Sequence, residues 1–250
     1  MERVELDLVK LPVPCLHCSE GAPDPDPHGL VWEVGELDDS GVVYVECRWA
    51  HKSAVIFDAR RYQMLLRSGA KALLAGFSSE SIASLAAALE RAYEFYIRVV
   101  CRHRSIPLQR IEDTWKEMKS QSERQLGAFM LLYLLEMQKP LPLNPEIPAI
   151  RNRTVHQGRI AKEQDARRFG GLVFARIMEI EVALQQYPEA VNGEAEHEVQ
   201  QQIASMPKGM QHAKMKIMTV LVKDTQATGP VQSFDEYLTA LQTSIERGLA

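Results

Sequence analysis

With 250 residues, 46% hydrophobic and 25% charged, the chain is long enough for one large domain or two smaller ones with real cores. Its net charge of −4 leaves local patches, rather than the overall sign, to decide affinity for an anionic ligand. The apolar runs fall short of the roughly 18 residues of a membrane span, and the opening Met1-Glu2-Arg3-Val4-Glu5-Leu6-Asp7 lacks the regions of a signal peptide, so a soluble, cytoplasmic protein with no membrane partner is expected.

Residues 1–59 read as a small β-rich module. Pro12 and Pro14 lead into Cys15 and Cys18, and Asp24-Pro25-Asp26-Pro27 makes a rigid polar loop. Strands are expected at 30–35, 42–47 and 54–57, with Asp38-Asp39-Ser40-Gly41 turning between the first two. So small a unit buries little apolar surface and needs another source of stability. Cys15-x2-Cys18 followed by Cys47-x3-His51 supplies one, because three thiols and an imidazole in two short clusters match a closed tetrahedral zinc site. Binding there is also folding free energy. Four protein ligands leave no open position for water, so the zinc is expected to be structural. The alternative is a set of reduced, buried cysteines. Cys101 stands apart, in a helical segment.

This segment resembles a zinc ribbon, with knuckles at Cys15-Leu16-His17-Cys18 and Cys47-Arg48-Trp49-Ala50-His51. It departs from the four-cysteine pattern in its last ligand, and its knuckles lack the usual glycine. His17 competes with His51 for the fourth position.

From Arg60 the apolar period changes from two to about 3.6. Tyr62, Leu65, Leu66, Leu73 and Leu74 predict a helix stopping near Gly76, after which Ser78 or Ser79 can cap a long one. Ile82, Leu85, Ala86, Leu89, Tyr93, Tyr96, Ile97 and Val100 form its apolar stripe, the clearest in the chain. Its end carries Arg98, Arg102, His103 and Arg104, read as cations at a helix C-terminus with RNA contact as the alternative. Glu90 and Tyr93 could support an active site or serve ordinary surface and core roles. After Pro107 one further helix is expected over 109–138, and Pro140, Pro142, Pro145 and Pro148 stiffen the approach to a polar cluster.

That cluster is Arg151-Asn152-Arg153-Thr154-Val155-His156-Gln157-Gly158. No acid lies between Glu146 and Glu163, while Arg151, Arg153, Arg159 and Lys162 fall in that gap, so this corner is cationic. Arg151 can offer a bidentate fork to phosphate, and His156 can take and give a proton near neutral pH. In a continuous helix positions 151 and 156 lie about 140° apart, whereas Asn152 and His156 share a face. A symmetric dimer could complete a site with two Arg and two His. Phe169, Val173, Ile177, Ile180 and Leu184 then mark a helix over 163–187, in which Gly170-Gly171 suggests close packing, since each Gly costs about 1 kcal/mol of helix propensity.

Arg-Asn-x-x-x-His followed by x-Gly and a long amphipathic helix resembles the R-x4-H signature of the HEPN superfamily, over roughly positions 78–186. The resemblance implies an all-helical bundle, a homodimer, and often a metal-independent ribonuclease of toxin, phage-defence or RNA-processing systems; other members only bind. It implies RNA as substrate, Arg151, Asn152 and His156 as catalytic residues, and a regulatory or antitoxin protein as a further partner. The expected fold is mainly α: a HEPN-like bundle at 60–187 after the β module at 1–59, with a mostly helical extension at 188–250.

In that extension 192–202 reads as a solvated helix, and Met206, Met210, Met215 and Met218 as core filling or an adaptable contact surface. Residues 216–222 fit strand or helix equally, and Ser233-Phe234-Asp235-Glu236 is a capping box for a last helix. Three functions are therefore open: a ribonuclease at His156, whose zinc module could present RNA with Trp49 as a stacking surface, a non-catalytic HEPN-like nucleotide, RNA or protein binder, and a nucleic-acid binder built on the zinc module and carried by a helical dimerisation scaffold. The excess of acids over Lys10, Lys52, Arg3 and Arg48 in residues 1–59 opposes the third.

Overall fold

The computed structural model describes residues 10–18, 32–38, 40–215 and 233–246. Helices predominate, accompanied by a small five-stranded sheet. The described parts of 1–59, 197–219 and 243–250 form one compact unit, and those of 60–196 and 220–242 another.

The first unit is built on strands β1 (Lys10–Pro14), β2 (Trp32–Leu37), β3 (Val42–Glu46), β4 (Lys52–Phe57) and β5 (Gln211–Met215), which pair in that order. The first four form an antiparallel meander, and β5 lies parallel to β4. Strands were expected near β2, β3 and β4; β1 and β5 were not. Pro12 and Pro14 hide β1 from a strand pattern, yet proline is tolerated there because β1 is an edge strand among the described residues. At the turn before β3, Asp38 Oδ1 accepts hydrogen bonds from the Ser40 and Val42 N–H groups, both 2.9 Å, and Gly41 takes φ 87, the left-handed geometry such a turn needs. Val42, Ala54 and Ile56 are fully buried, with Val199, Ile203, Met206 and Met210 packed against them. Met206 and Met210 are thus core filling. The Asp24–Pro27 loop, Met218 and residues 216–222 lie outside the described residues.

In the second unit α1 (Arg61–Leu74) stops just before Gly76, whose φ is 85, and α2 (Ser78–His103) comes next. All eight residues of the α2 stripe are buried. The expected serine cap is absent: Phe77 occupies the capping position without a side-chain bond, and Ser79 Oγ instead accepts from the Ala161 N–H at 3.1 Å. The cations at the end of α2 make ion pairs. Arg98 meets Glu94 at 3.1 Å and Glu112 at 2.6 Å, Arg102 meets Glu194 at 2.8 Å and Arg104 meets Glu136 at 2.5 Å. These staples occupy the groups that RNA contact would need free.

The single helix expected over 109–138 is two, α3 (Leu108–Met118) and α4 (Ser122–Met137). Side chains at the start of α4 serve the carbonyls that end α3: Gln125 Nε2 donates to the Lys119 carbonyl at 2.9 Å and Arg124 to that of Glu117 at 2.8 Å. Apolar periodicity alone cannot show this break, because helical residues flank it closely on both sides. On α4, Phe129 and Tyr133 face the α2 aromatics, with the Tyr93 and Phe129 rings stacked at 4.5 Å, while Leu131, Leu134 and Leu135 stay exposed.

The chain continues through α5 (Glu146–Arg151), one π-helical turn (Asn152–His156), α6 (Glu163–Leu184), α7 (Pro188–Ser205) and α8 (Phe234–Glu246). The expected solvated helix at 192–202 falls in α7, but Glu194 is only 1% exposed, drawn in by Arg102. Ser233 caps α8 as expected, its Oγ accepting from the Glu236 N–H at 3.2 Å.

Of the two adjacent glycines in α6 only one is needed for packing. A Cβ at Gly170 would lie 2.1 Å from the Phe234 ring, whereas one at Gly171 would meet nothing within 4 Å. Gly170→Ala is therefore expected to cost about 1–3 kcal/mol through overpacking, and Gly171→Ala to gain up to about 1 kcal/mol. Urea unfolding of both variants checks the pair; equal effects would contradict the geometry.

Candidate functional site

Two clusters carry chemistry. The first is sulfur-rich and arises from strand geometry. Cys15 and Cys18 lie just past the end of β1, while Cys47 and His51 bracket the connection between β3 and β4. That connection is tight, with the Cys47 N–H donating to the His51 carbonyl at 3.0 Å and the Ala50 N–H to the Cys47 carbonyl at 2.8 Å. Ala50 adopts φ 60, taking the left-handed conformation that glycine usually supplies, which is how this knuckle forms without one.

The ligand atoms of Cys15, Cys18, Cys47 and His51 all lie within 4.8 Å of one another. Cys18 Sγ is 3.7 Å from Cys47 Sγ and 3.2 Å from His51 Nδ1. Two sulfurs each about 2.3 Å from one tetrahedral ion sit about 3.8 Å apart, whereas a disulfide needs about 2.05 Å; the thiols are free. All three cysteines are buried. Burial and the neighbouring Cys15 and Cys47 thiols push the Cys18 thiol up to about 12. At Cys47 burial acts in the same upward sense and is the largest single cause, but backbone hydrogen bonds at Trp49 and His51 together with those of the Cys18 and Cys15 thiols outweigh it and the thiol is lowered. Three sulfurs this close ionise together only with a cation among them. The donor set fits a metal ion such as zinc.

His17 is exposed, and its ring stacks on that of His51 at 5.2 Å; the four-atom cluster is formed with His51. Arg48 lies 4.1 Å over the Trp49 ring, covering one face of the expected stacking surface.

The second cluster is the cationic corner of the helical unit. Its backbone is not continuous α-helix. Over Asn152–His156 the chain takes a π turn, with the Gln157 N–H donating to the Asn152 carbonyl at 3.0 Å. In π winding residue i+5 rather than i+4 returns over residue i. The wide angle that an ideal α-helix sets between positions 151 and 156 therefore does not apply to this segment. The segment ends where Gly158, at φ 65, reverses the chain and the Arg159 N–H donates to the Arg153 carbonyl at 3.0 Å.

Arg151 is anchored within this corner. Its NH2 meets Glu90 of α2 at 2.8 Å, and its NH1 donates to Ser122 Oγ at 3.1 Å. One of its five N–H groups is thus used in a hydrogen bond, and the guanidinium is also ion-paired. Asn152, Arg153, His156 and Arg159 are exposed and make no hydrogen bond or ion pair through their side chains among the described residues. Two apolar residues flank them, Val155 at 45% and Ile160 at 87% exposure. The sequence leaves Glu90 open between support for an active site and an ordinary surface role, whereas Ser122 carries no signal, lying 29 positions from Arg151 at the start of α4.

No protein-family model, no curated protein and no solved structure matches this chain. Among the described residues no helix is long and apolar enough to cross a membrane.

Proposed function

We propose that the chain is a metal-independent endoribonuclease of HEPN type, working at a composite site between two copies, with zinc holding the β unit together. The observation that supports this reading is the π turn, which replaces α-helical spacing between Arg151 and His156 in a segment where the imidazole is exposed, Arg151 is held by Glu90 and Ser122, and Arg153 and Arg159 are exposed. Single π turns are frequent at functional sites.

The reaction asks little more of the protein. A ribose 2′-hydroxyl attacks phosphorus, forming the O2′–P bond while the P–O5′ bond breaks. One copy's His156 accepts the hydroxyl proton, and the second copy's His156 donates a proton to the departing 5′-oxygen. The products end in a 2′,3′-cyclic phosphate and a 5′-hydroxyl. Arg151, with N–H groups left beyond the one that Ser122 accepts, stabilises the charge developing on the phosphoryl oxygens, and Asn152 orients His156 or a phosphate oxygen. The exposed Val155 and Ile160 supply apolar surface that a second copy would cover. At the cysteine cluster, Cys15, Cys18, Cys47 and His51 hold zinc in a closed site, with a structural role only.

One observation favours a second reading, a non-catalytic HEPN-like module that binds a nucleotide, RNA or a partner protein. Glu90 offsets the charge of Arg151, weakening the group on which charge stabilisation depends. Incubating the purified protein with defined single-stranded RNA in excess EDTA and mapping the product ends separates the two. Cyclic phosphate ends are expected; activity that requires added divalent metal, or intact RNA alongside tight binding, defeats the ribonuclease reading.

A further inference from the structure

Binding and chemistry need different things from a cation. An arginine tied to a carboxylate keeps its shape and position but contributes little net charge, whereas an unpaired exposed arginine contributes its full charge and releases a condensed counterion when it meets phosphate. The corner around His156 contains both kinds. Arg151 is held by Glu90 and Ser122. Arg153 and Arg159 are exposed and have no acidic partner among the described residues, and the Arg159 N–H to Arg153 carbonyl bond of 3.0 Å fixes their backbones side by side. Gly158 makes that juxtaposition, since its φ of 65 turns the chain back. The space around it would accept a Cβ, with nothing within 4 Å, so its conformation rather than its size is what the turn uses.

On the reading that RNA is the substrate, we propose that Arg153 and Arg159 form a backbone-phosphate clamp that supplies most of the affinity for the strand. Arg151 then acts on the scissile phosphate at the reaction centre and adds little to binding. The ligand is the phosphodiester backbone of single-stranded RNA, gripped without regard to base. Because one backbone hydrogen bond joins the two residues, their guanidiniums are presented from adjoining backbone and serve neighbouring phosphates of one strand.

The test separates affinity from rate. Full-length protein silenced by His156→Ala is titrated against a fluorescently labelled single-stranded RNA oligonucleotide at several salt concentrations. Adding Arg153→Gln and Arg159→Gln together is expected to raise Kd roughly tenfold or more near physiological salt, and to flatten the slope of log K against log salt by about 1.4, at about 0.7 per lost phosphate contact on a single strand. Arg151→Gln in the same background is expected to change Kd less than about threefold, yet in the active protein to lower kcat with KM little changed. Circular dichroism confirms that the exposed substitutions leave the fold intact. If the wild-type protein cleaves RNA but the double variant binds with unchanged affinity and slope, the clamp is overturned and the ribonuclease reading stands. Arg151→Gln weakening binding as much as the double variant also overturns it. Failure of the wild-type protein to bind or cleave RNA removes both.

Discussion

Cys47→Ser is expected to abolish metal binding and unfold the β unit while most of the helical signal persists. The sheet is small, its apolar core centres on Val42, Ala54 and Ile56, and Pro12 and Pro14 weaken β1. The buried thiols sit where the chain leaves β1 and where β3 turns into β4, so a shared ion would tie two otherwise distant segments. Structural zinc contributes an apparent 10–16 kcal/mol in zinc-finger peptides, on the order of a whole domain's stability. Serine offers a poor ligand in place of a thiolate and leaves the remaining sulfurs crowded. Metal content by elemental analysis and thermal unfolding measured with and without a strong zinc chelator decide the matter. One metal per chain, lost in Cys47→Ser and in His51→Ala but kept in His17→Ala, is the expected pattern. A wild-type protein that carries no metal and melts identically in chelator would reduce the cluster to ordinary reduced cysteines.

How much of this was legible in the sequence depended on how local the signal was. The cysteine spacing is a local signal, and the sequence pattern and the geometry name the same four residues. The α2 stripe is legible for the same reason, because 3.6-residue periodicity sustained over about five turns from Ile82 to Val100 admits few other readings. Strand β5 escaped notice because Gln211-His212-Ala213-Lys214-Met215 has no apolar alternation; its place beside β4 is set by tertiary pairing. The break between α3 and α4 depends on Gln125 and Arg124 finding particular carbonyls, which apolar periodicity does not encode. Ion pairs such as Arg102 with Glu194 join residues 92 positions apart. Composition therefore left the α2 cations ambiguous, whereas geometry gives them partners.

The π turn is a departure from the expected backbone in the segment that holds His156. An ideal helix puts Asn152 and His156 on one face and Arg151 aside; the wider π turn changes those angular positions. Sequence offered no cue for it, since the bulge is a property of how α5 joins a segment closed by Gly158 and fastened to α2 through Ser79 and Glu90.

His156→Ala is accordingly expected to lower the RNA cleavage rate by about 10²–10⁴-fold, the usual contribution of one general acid or base, with stability changed by no more than about 0.5 kcal/mol. The two halves of that expectation have separate sources. The imidazole is exposed and makes no hydrogen bond among the described residues, so its removal breaks nothing that holds the turn; the turn rests on backbone bonds and on Arg151. The rate loss arises because no other imidazole or thiol lies in the 151–162 segment to move the proton. In a composite site the same substitution removes acid and base together, one from each copy, so dilution of the wild-type protein, rather than mixing His156→Ala with Arg151→Ala protein, offers the sharper check. If each site draws an arginine and both imidazoles from the two chains, mixed dimers still lack one imidazole and stay slow. If each copy works alone with its own arginine and histidine, mixing likewise rescues nothing, but dilution below the dimer dissociation constant then leaves wild-type activity per chain unchanged. Loss of specific activity on dilution is the expected result. Undiminished cleavage by His156→Ala at any protein concentration would place the chemistry elsewhere.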